Sequence, residues 1–176
     1  KIKSAVTGQE LWRISGDPTE GALLVAAAKA GMTEEQLNEM YLRIDELPFD
    51  SDRKCMSVIC DNRRGELYVF TKGAPDVIIK KCSKIYNSAG ITSMSPKEKA
   101  RILRTNDDMA SEALRVLGVA YKKLNLRNYR KDELEKDLIF VGLLGMIDPP
   151  RTEAQEAVQR CRLAGIKPVM ITGDHK

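Results

Sequence analysis

Apolar residues recur at every second position in some stretches and three or four apart in others, and these two periods predict strands and helices respectively. Glu10-Leu-Trp-Arg-Ile14 reads as a strand. Asp17-Pro-Thr-Glu20 reads as a helix start: Asp17 caps, Pro18 takes the first helical position, and Glu20 can reach back to the free amides. The helix is expected to run to about Ala30, with Leu23, Leu24, Ala27 and Ala28 on its apolar face and Gly31 as its stop. Thr33-Glu-Glu-Gln36 repeats the capping pattern and opens a short helix to about Tyr41. Leu42 to Leu47 is then extended, and Pro48 ends or edges that strand.

Two β-rich runs, Lys54 to Asp61 and Glu66 to Thr71, flank Asn62-Arg-Arg-Gly65, which has Asn and Gly where a hairpin turn wants them. Phe49 then falls just before one strand and Lys72 just after its partner, so Phe49, Lys54 and Lys72 can converge at the open end of the hairpin. An aromatic face can stack on a base, and ammonium groups can meet phosphate oxygens. Taken singly, these residues fit a core Phe with two solvated lysines better than a ligand cleft. Lys72-Gly73 is not part of a Walker loop, because no Gly-x-x-x-x-Gly-Lys-Ser/Thr occurs in the chain. Gly73 instead lets the backbone approach a ligand closely.

Further along, Ala74-Pro-Asp76 opens a helix through about Cys82, and Lys84 to Tyr86 is a short strand before the turn Asn87-Ser-Ala-Gly90. Ser95-Pro-Lys-Glu98 is another capping box whose helix runs to about Ala113, with Ala100, Leu103, Met109, Ala110 and Ala113 on the buried side. Leu114 to Tyr121 is a strand, and the charged stretch Asn125 to Lys136 reads as surface loop with a short helix. Leu138 to Ile147 is a continuous apolar run that fits a strand covered on both faces. Asp148-Pro-Pro-Arg151 forms a stiff connector to a helix from about Glu153 to Ala164, stopped by Gly165. Lys167 to Ile171 is a strand leading to Thr172-Gly-Asp174, which completes a βα unit of parallel type.

Composition narrows the class. With 176 residues, 43% hydrophobic and 31% charged, the chain fits one globular domain and part of a second, and no apolar run approaches the roughly 20 residues that span a bilayer. Lys1 to Gly8 lacks the apolar stretch of a secretory signal. The net charge of +4 is scattered among acids, so no nucleic-acid surface is indicated. Four cysteines without Cys-x-x-Cys spacing and a single His argue against structural zinc, and no metal-ligand set is read. The cysteines read as reduced thiols, with Cys55 and Cys60 on opposite faces of one strand.

Five stretches in order carry a family resemblance: Gly16-Asp-Pro-Thr-Glu-Gly-Ala-Leu23, Pro48-Phe-Asp-Ser-Asp-Arg-Lys-Cys-Met-Ser-Val58, Thr71-Lys-Gly-Ala-Pro-Asp76, Gly145-Met-Ile-Asp-Pro-Pro-Arg151 and Met170-Ile-Thr-Gly-Asp174. Together they resemble the nucleotide-binding domain of P-type cation-transporting ATPases, most closely the calcium-pump type. The resemblance implies an α+β fold, an antiparallel sheet with flanking helices, over residues 1–143. A partial α/β haloacid-dehalogenase-like segment of the phosphorylation domain follows over 144–176.

It further implies that Phe49 stacks on adenine, Glu20 orients the base edge, Lys54, Lys72 and Gly73 line the purine and phosphate path, and Arg115 meets phosphate. Ser51 stands where the calcium-pump pattern often has Arg, which weakens phosphate contact or shifts it to Arg53. Asp148, Thr172, Gly173 and Asp174 resemble pump-site residues around a phosphorylated aspartate. The Asp-Lys-Thr-Gly-Thr motif that carries that aspartate does not occur here, nor does Gly-Asp-Gly-x-Asn-Asp. The expected partners are therefore ATP, Mg2+ with the full polypeptide, and the phosphorylation and actuator domains of that polypeptide, with a membrane reached only through a transmembrane domain. The expected setting is the cytoplasmic side of a bacterial membrane, with this chain excised from a larger protein and inactive alone. Two other readings stay open: a protein-interaction module without nucleotide preference, and a fragment of a haloacid-dehalogenase-like phosphatase.

Overall fold

The computed structural model of the chain describes residues 2–3, 10–11, 17–124, 129–147, 152–169 and 171. Residues 1–146 and 147–176 form two separate units. In the first, the short strands β1 (Ile2–Lys3) and β2 (Glu10–Leu11) pair antiparallel. Most of the strand expected over residues 10–14 lies outside the described residues.

Helix α1 (Pro18–Lys29) starts as its sequence dictates, with the Asp17 carboxylate accepting from the Thr19 amide at 2.7 Å and Pro18 in the first turn. Glu20 does not reach back to complete a capping box; its carboxylate meets Lys72 instead. The apolar face is also less buried than its spacing suggests, because Leu23 and Ala27 are half-buried while Leu24 is 57% exposed and Ala28 is exposed. Helix α2 (Glu34–Met40) carries a complete Thr33–Gln36 capping box.

The main sheet has seven strands: β3 (Leu42–Asp50), β4 (Cys55–Asp61), β5 (Leu67–Gly73), β6 (Cys82–Asn87), β7 (Gly90–Ser93), β8 (Arg115–Leu124) and β9 (Leu138–Met146). Their spatial order is β3-β4-β5-β8-β9-β6-β7. Five neighbouring pairs are antiparallel, but β6 runs parallel to β9, so the sheet is mixed rather than purely antiparallel. The crossover helix α3 (Pro75–Lys81) explains this, since it returns the chain over the sheet so that β6 has the same direction as β5. Gly118 on β8 lies beneath α3, where a Cβ would come within 3.2 Å of Pro75 and Ile78. Strand β7 follows the Asn87–Gly90 turn and has no counterpart in the sequence reading; its four residues are too few for a clear period.

Alternation along β4 and β5 defines the two faces. Cys55, Ser57, Ile59, Leu67, Val69 and Thr71 are buried on one, with Cys55 packed among the α3 residues and Ile59 and Val69 against Leu134, while Met56, Val58, Tyr68, Phe70 and Lys72 line the other, half-open face. On the buried face Ile78, Ile79, Ala120, Leu138 and Phe140 form the main core with Ile102 of helix α4 (Pro96–Ser111). That helix has the expected Ser95–Glu98 capping box, but its inward stripe is Ile102, Leu103, Asn106 and Met109; Ala100, Ala110 and Ala113 are exposed. A methyl group gives little area to bury, so the larger side chains set the helix rotation.

Strand β9 is not covered on both faces. An irregularity opposite Val119 and Ala120 leaves Val141 46% exposed, and Leu144 is also exposed. The stretch read as wholly superficial, 125–136, contributes two deeply buried residues among those described: Leu134 packs with Ile59 and Val69, and Glu135 sits beside them.

In the second unit, helix α5 (Thr152–Leu163) ends before Gly165, which has φ 72°. Described residues 166–169 and 171 form no strand, contrary to expectation. An extended segment becomes a strand only through a ladder partner, and this segment has none among the described residues.

Candidate functional site

The residues singled out from sequence gather at one end of the sheet. Strand β3 runs past Pro48 to Asp50, and its pairing with β4 shifts between Leu47, opposite Ser57, and Asp50, opposite Cys55. Three steps on β3 thus match two on β4, a bulge of the kind that re-aims a side chain and tolerates proline at a sheet edge. Phe49 lies in this bulge and is 64% exposed. A ring so exposed is not a core residue.

The loop after Phe49 is tightly specified. The Asp50 carboxylate accepts from the amides of Asp52 and Arg53 at 2.9 and 2.8 Å, which holds its carboxyl below the usual range. Lys54 adopts φ 52°, its amide donates to the Asp50 carbonyl at 2.7 Å, and its own carbonyl accepts from the Ala74 amide at 3.0 Å. A Cβ on Gly73 would stand 2.4 Å from that Lys54 carbonyl oxygen, so only glycine lets β5 close against the loop.

Lys72 belongs to β5 itself, opposite Met56 of β4 and Val119 of β8. Its ammonium donates to the Glu20 carboxylate at 3.0 Å. Nearby, Arg115 at the start of β8 donates to the Thr19 hydroxyl at 3.3 Å. Arg115 and Lys72 add to the Thr19 hydrogen bonds, which are the main cause, in lowering the Asp17 carboxyl. The first turn of α1 is therefore tied to both Lys72 and Arg115. Glu20, Lys72 and Arg115 form one side of the site, while Phe49 lies in the β3 bulge and Lys54 on the β3–β4 connection.

Arg53 differs. Its guanidinium donates to Glu135 at 2.9 Å and to the carbonyls of Pro48 and Cys55, so its hydrogen bonds face the protein. Asp148, Thr172, Gly173 and Asp174 lie outside the described residues.

Sequence reasoning missed two features. An aromatic row of Tyr68, Phe70 and Tyr121 occupies the half-open face, with Phe70 stacked on both others and Tyr41 edge-on to Phe70 at 5.5 Å. The alternation of aromatics in Tyr68-Val-Phe70, two residues before Lys72, was the available signal. The second is Glu135, whose only trace was an apolar neighbour, Leu134, within a charged run. Separately, a concavity of ≈ 300 Å³ between α4 and β9 is lined by Arg101, Ile102, Thr105, Met109, Phe140 and Leu143, and contains none of the candidate residues.

An exposed ring, a bulged strand carrying it, and cationic groups at the same sheet end are chemically suited to a flat, anionic ligand. A family model described as P-type ATPase, cytoplasmic domain N, matches residues 2–153, and the chain belongs to that family. It is 47% identical to a calcium-transporting ATPase of Bacillus subtilis, the match covering 92% of this chain and 18% of that protein. It is 48% identical to calcium-transporting ATPase 1 of Bacillus cereus, again over 92% of this chain and 18% of the relative. A sodium/potassium exporting P-type ATPase of Schizosaccharomyces pombe is 38% identical over 99% of this chain and 17% of its own length. The chain thus spans about a fifth of the length of the curated relatives it matches.

Proposed function

We propose that the chain is the ATP-binding domain of a P-type cation pump, of the calcium-transporting kind, and that its site takes the adenosine end of the nucleotide. The observation that carries this reading is Phe49, a ring 64% exposed in a β3 bulge at the sheet end that also carries Lys54 and, two strands away on β5, Lys72. The residues fit the ligand's chemistry: a free aromatic face suits a purine, ammonium groups suit phosphate oxygens, and Gly73 allows close backbone approach.

In this reading Phe49 stacks on adenine, Glu20 orients the base edge, Lys54 and Lys72 line the path to the phosphates, and Arg115 meets phosphate. Arg53 supports the loop from below. ATP supplies the transferable γ-phosphoryl group, with Mg2+ on its phosphates. The domain binds, orients and presents it to an aspartate of the phosphorylation domain, which makes transfer effectively intramolecular. That aspartate is not in this sequence, so this chain alone does not hydrolyse ATP by covalent catalysis. The segment that follows β9, with Asp148, Thr172, Gly173 and Asp174, belongs to a haloacid-dehalogenase-like phosphorylation domain. The complete polypeptide adds an actuator domain and transmembrane helices, and this domain stands on the cytoplasmic side. Calcium is favoured as the cargo because both Bacillus relatives bear that name.

The test is an amide-resonance titration with ATP, ADP and GTP of the wild type, Phe49→Ala and Lys72→Ala. Localised shifts around residues 49, 54 and 72 with ATP, lost in both folded variants, support the reading. A folded wild type without localised response at millimolar ATP overturns it.

A further inference from the structure

Glu135 is only 7% exposed and lies on the face of the sheet opposite Lys72, yet it is bonded to the loop that carries the candidate site. One carboxylate oxygen accepts from Arg53 and from the Ser57 hydroxyl, both at 2.9 Å; the other accepts from Lys81 at 3.0 Å and from the Cys55 thiol at 3.4 Å. Ser57 is in turn 2.9 Å from the Thr71 hydroxyl on β5. Arg53 then passes the restraint on, since it donates to carbonyls on both sides of the bulge, Pro48 on β3 and Cys55 on β4. Phe49 lies between those two anchors and Lys54 lies between Arg53 and Cys55.

We propose that Glu135 is a positioning residue for nucleotide binding: by holding Arg53 from beneath, it fixes the loop that presents Phe49 and Lys54 without touching the ligand itself. This rests on the ATP-binding reading of the site. A half-satisfied buried network is more costly than none, so removing the shared acceptor leaves Arg53 and Lys81 competing for other partners and releases the loop. Lys81 provides the internal control, because it binds the same carboxylate from α3 and, among the described residues, makes no hydrogen bond to the loop.

The experiment measures ATP and adenosine dissociation constants by resonance titration of the whole chain as wild type, Glu135→Gln, Arg53→Gln and Lys81→Gln, with urea stability of each. The expected result is ATP binding weakened about tenfold in Glu135→Gln and Arg53→Gln, with adenosine weakened to the same extent, and wild-type affinity in Lys81→Gln whatever its stability. Equal loss for adenosine identifies displacement of the ring, since a direct phosphate contact by Arg53 would spare adenosine. If Glu135→Gln does not fold, Arg53→Gln, altered on the loop side of the same bond, decides. Wild-type affinity in folded Glu135→Gln overturns the proposal and leaves the site reading intact, as does equal weakening in Lys81→Gln. A wild type that binds no ATP overturns both.

Discussion

Lys72 on β5 and Glu20 on the first turn of α1, 52 residues apart in sequence, meet at 3.0 Å on one side of the candidate site. Glu20 is largely exposed, so the pair itself stabilises little. Exposed ion pairs contribute about 0–1 kcal/mol, and Glu20→Gln is expected to change urea stability by no more than that. Its effect should fall on base choice. A carboxylate can only accept, which suits the adenine amino group and repels the guanine carbonyl, whereas a Gln amide can do both. Glu20→Gln is therefore expected to erode the preference for ATP over GTP, read from paired titrations; an unchanged ratio would remove Glu20 from the base edge.

Gly73 and Gly118 offer a graded test of close packing. At Gly73 an added Cβ meets backbone, the Lys54 carbonyl oxygen at 2.4 Å, and that oxygen is already bonded to Ala74. At Gly118 the nearest atoms are 3.2 Å away, on Pro75 and Ile78. Gly73→Ala should lose about 1–3 kcal/mol or more in urea unfolding, and Gly118→Ala clearly less.

The buried thiols should be inert. Burial, with the Glu135 charge behind it, pushes the Cys55 thiol up to about 11, and burial pushes Cys82 up to about 12. Cys60 is also raised, while Cys161 on α5 is the least buried of the four free cysteines. Alkylation of folded protein at about pH 8, followed by peptide mass mapping, should label Cys161 and leave the other three until the chain unfolds.

Acid sensitivity should be traceable to Glu135. Burial raises its carboxyl, but hydrogen bonds from Lys81, Ser57 and Cys55 outweigh that and hold it below its ordinary value. A carboxyl depressed in the folded state contributes fully above its unfolded pKa, and that contribution is lost as the pH falls through the folded value. Between about pH 6 and pH 3 the wild type should thus lose more urea stability than Glu135→Gln. Parallel losses would place the acid transition elsewhere.

The sequence by itself determined whatever depends on neighbours along the chain. Asp17, Thr33 and Ser95 cap the helices they were read to cap, because a cap needs only amides two or three residues away. The hairpin of β4 and β5 follows from alternation around Asn62 and Gly65. The five ordered motifs carried the family. Only the tertiary structure decided where long-range partners went: Glu20 to Lys72 rather than to its own helix, Arg53 to Glu135 rather than outward, and β6 parallel to β9. Leu134 and Glu135 show the reason most plainly. Their charged neighbours read as solvent-facing, and nothing local to residues 129–137 reveals that β4, α3 and the Phe49 loop converge there, 54 or more residues away, with Ser57, Lys81 and Arg53 as donors. A buried carboxylate is legible only once its donors are assembled around it, and folding is what assembles them.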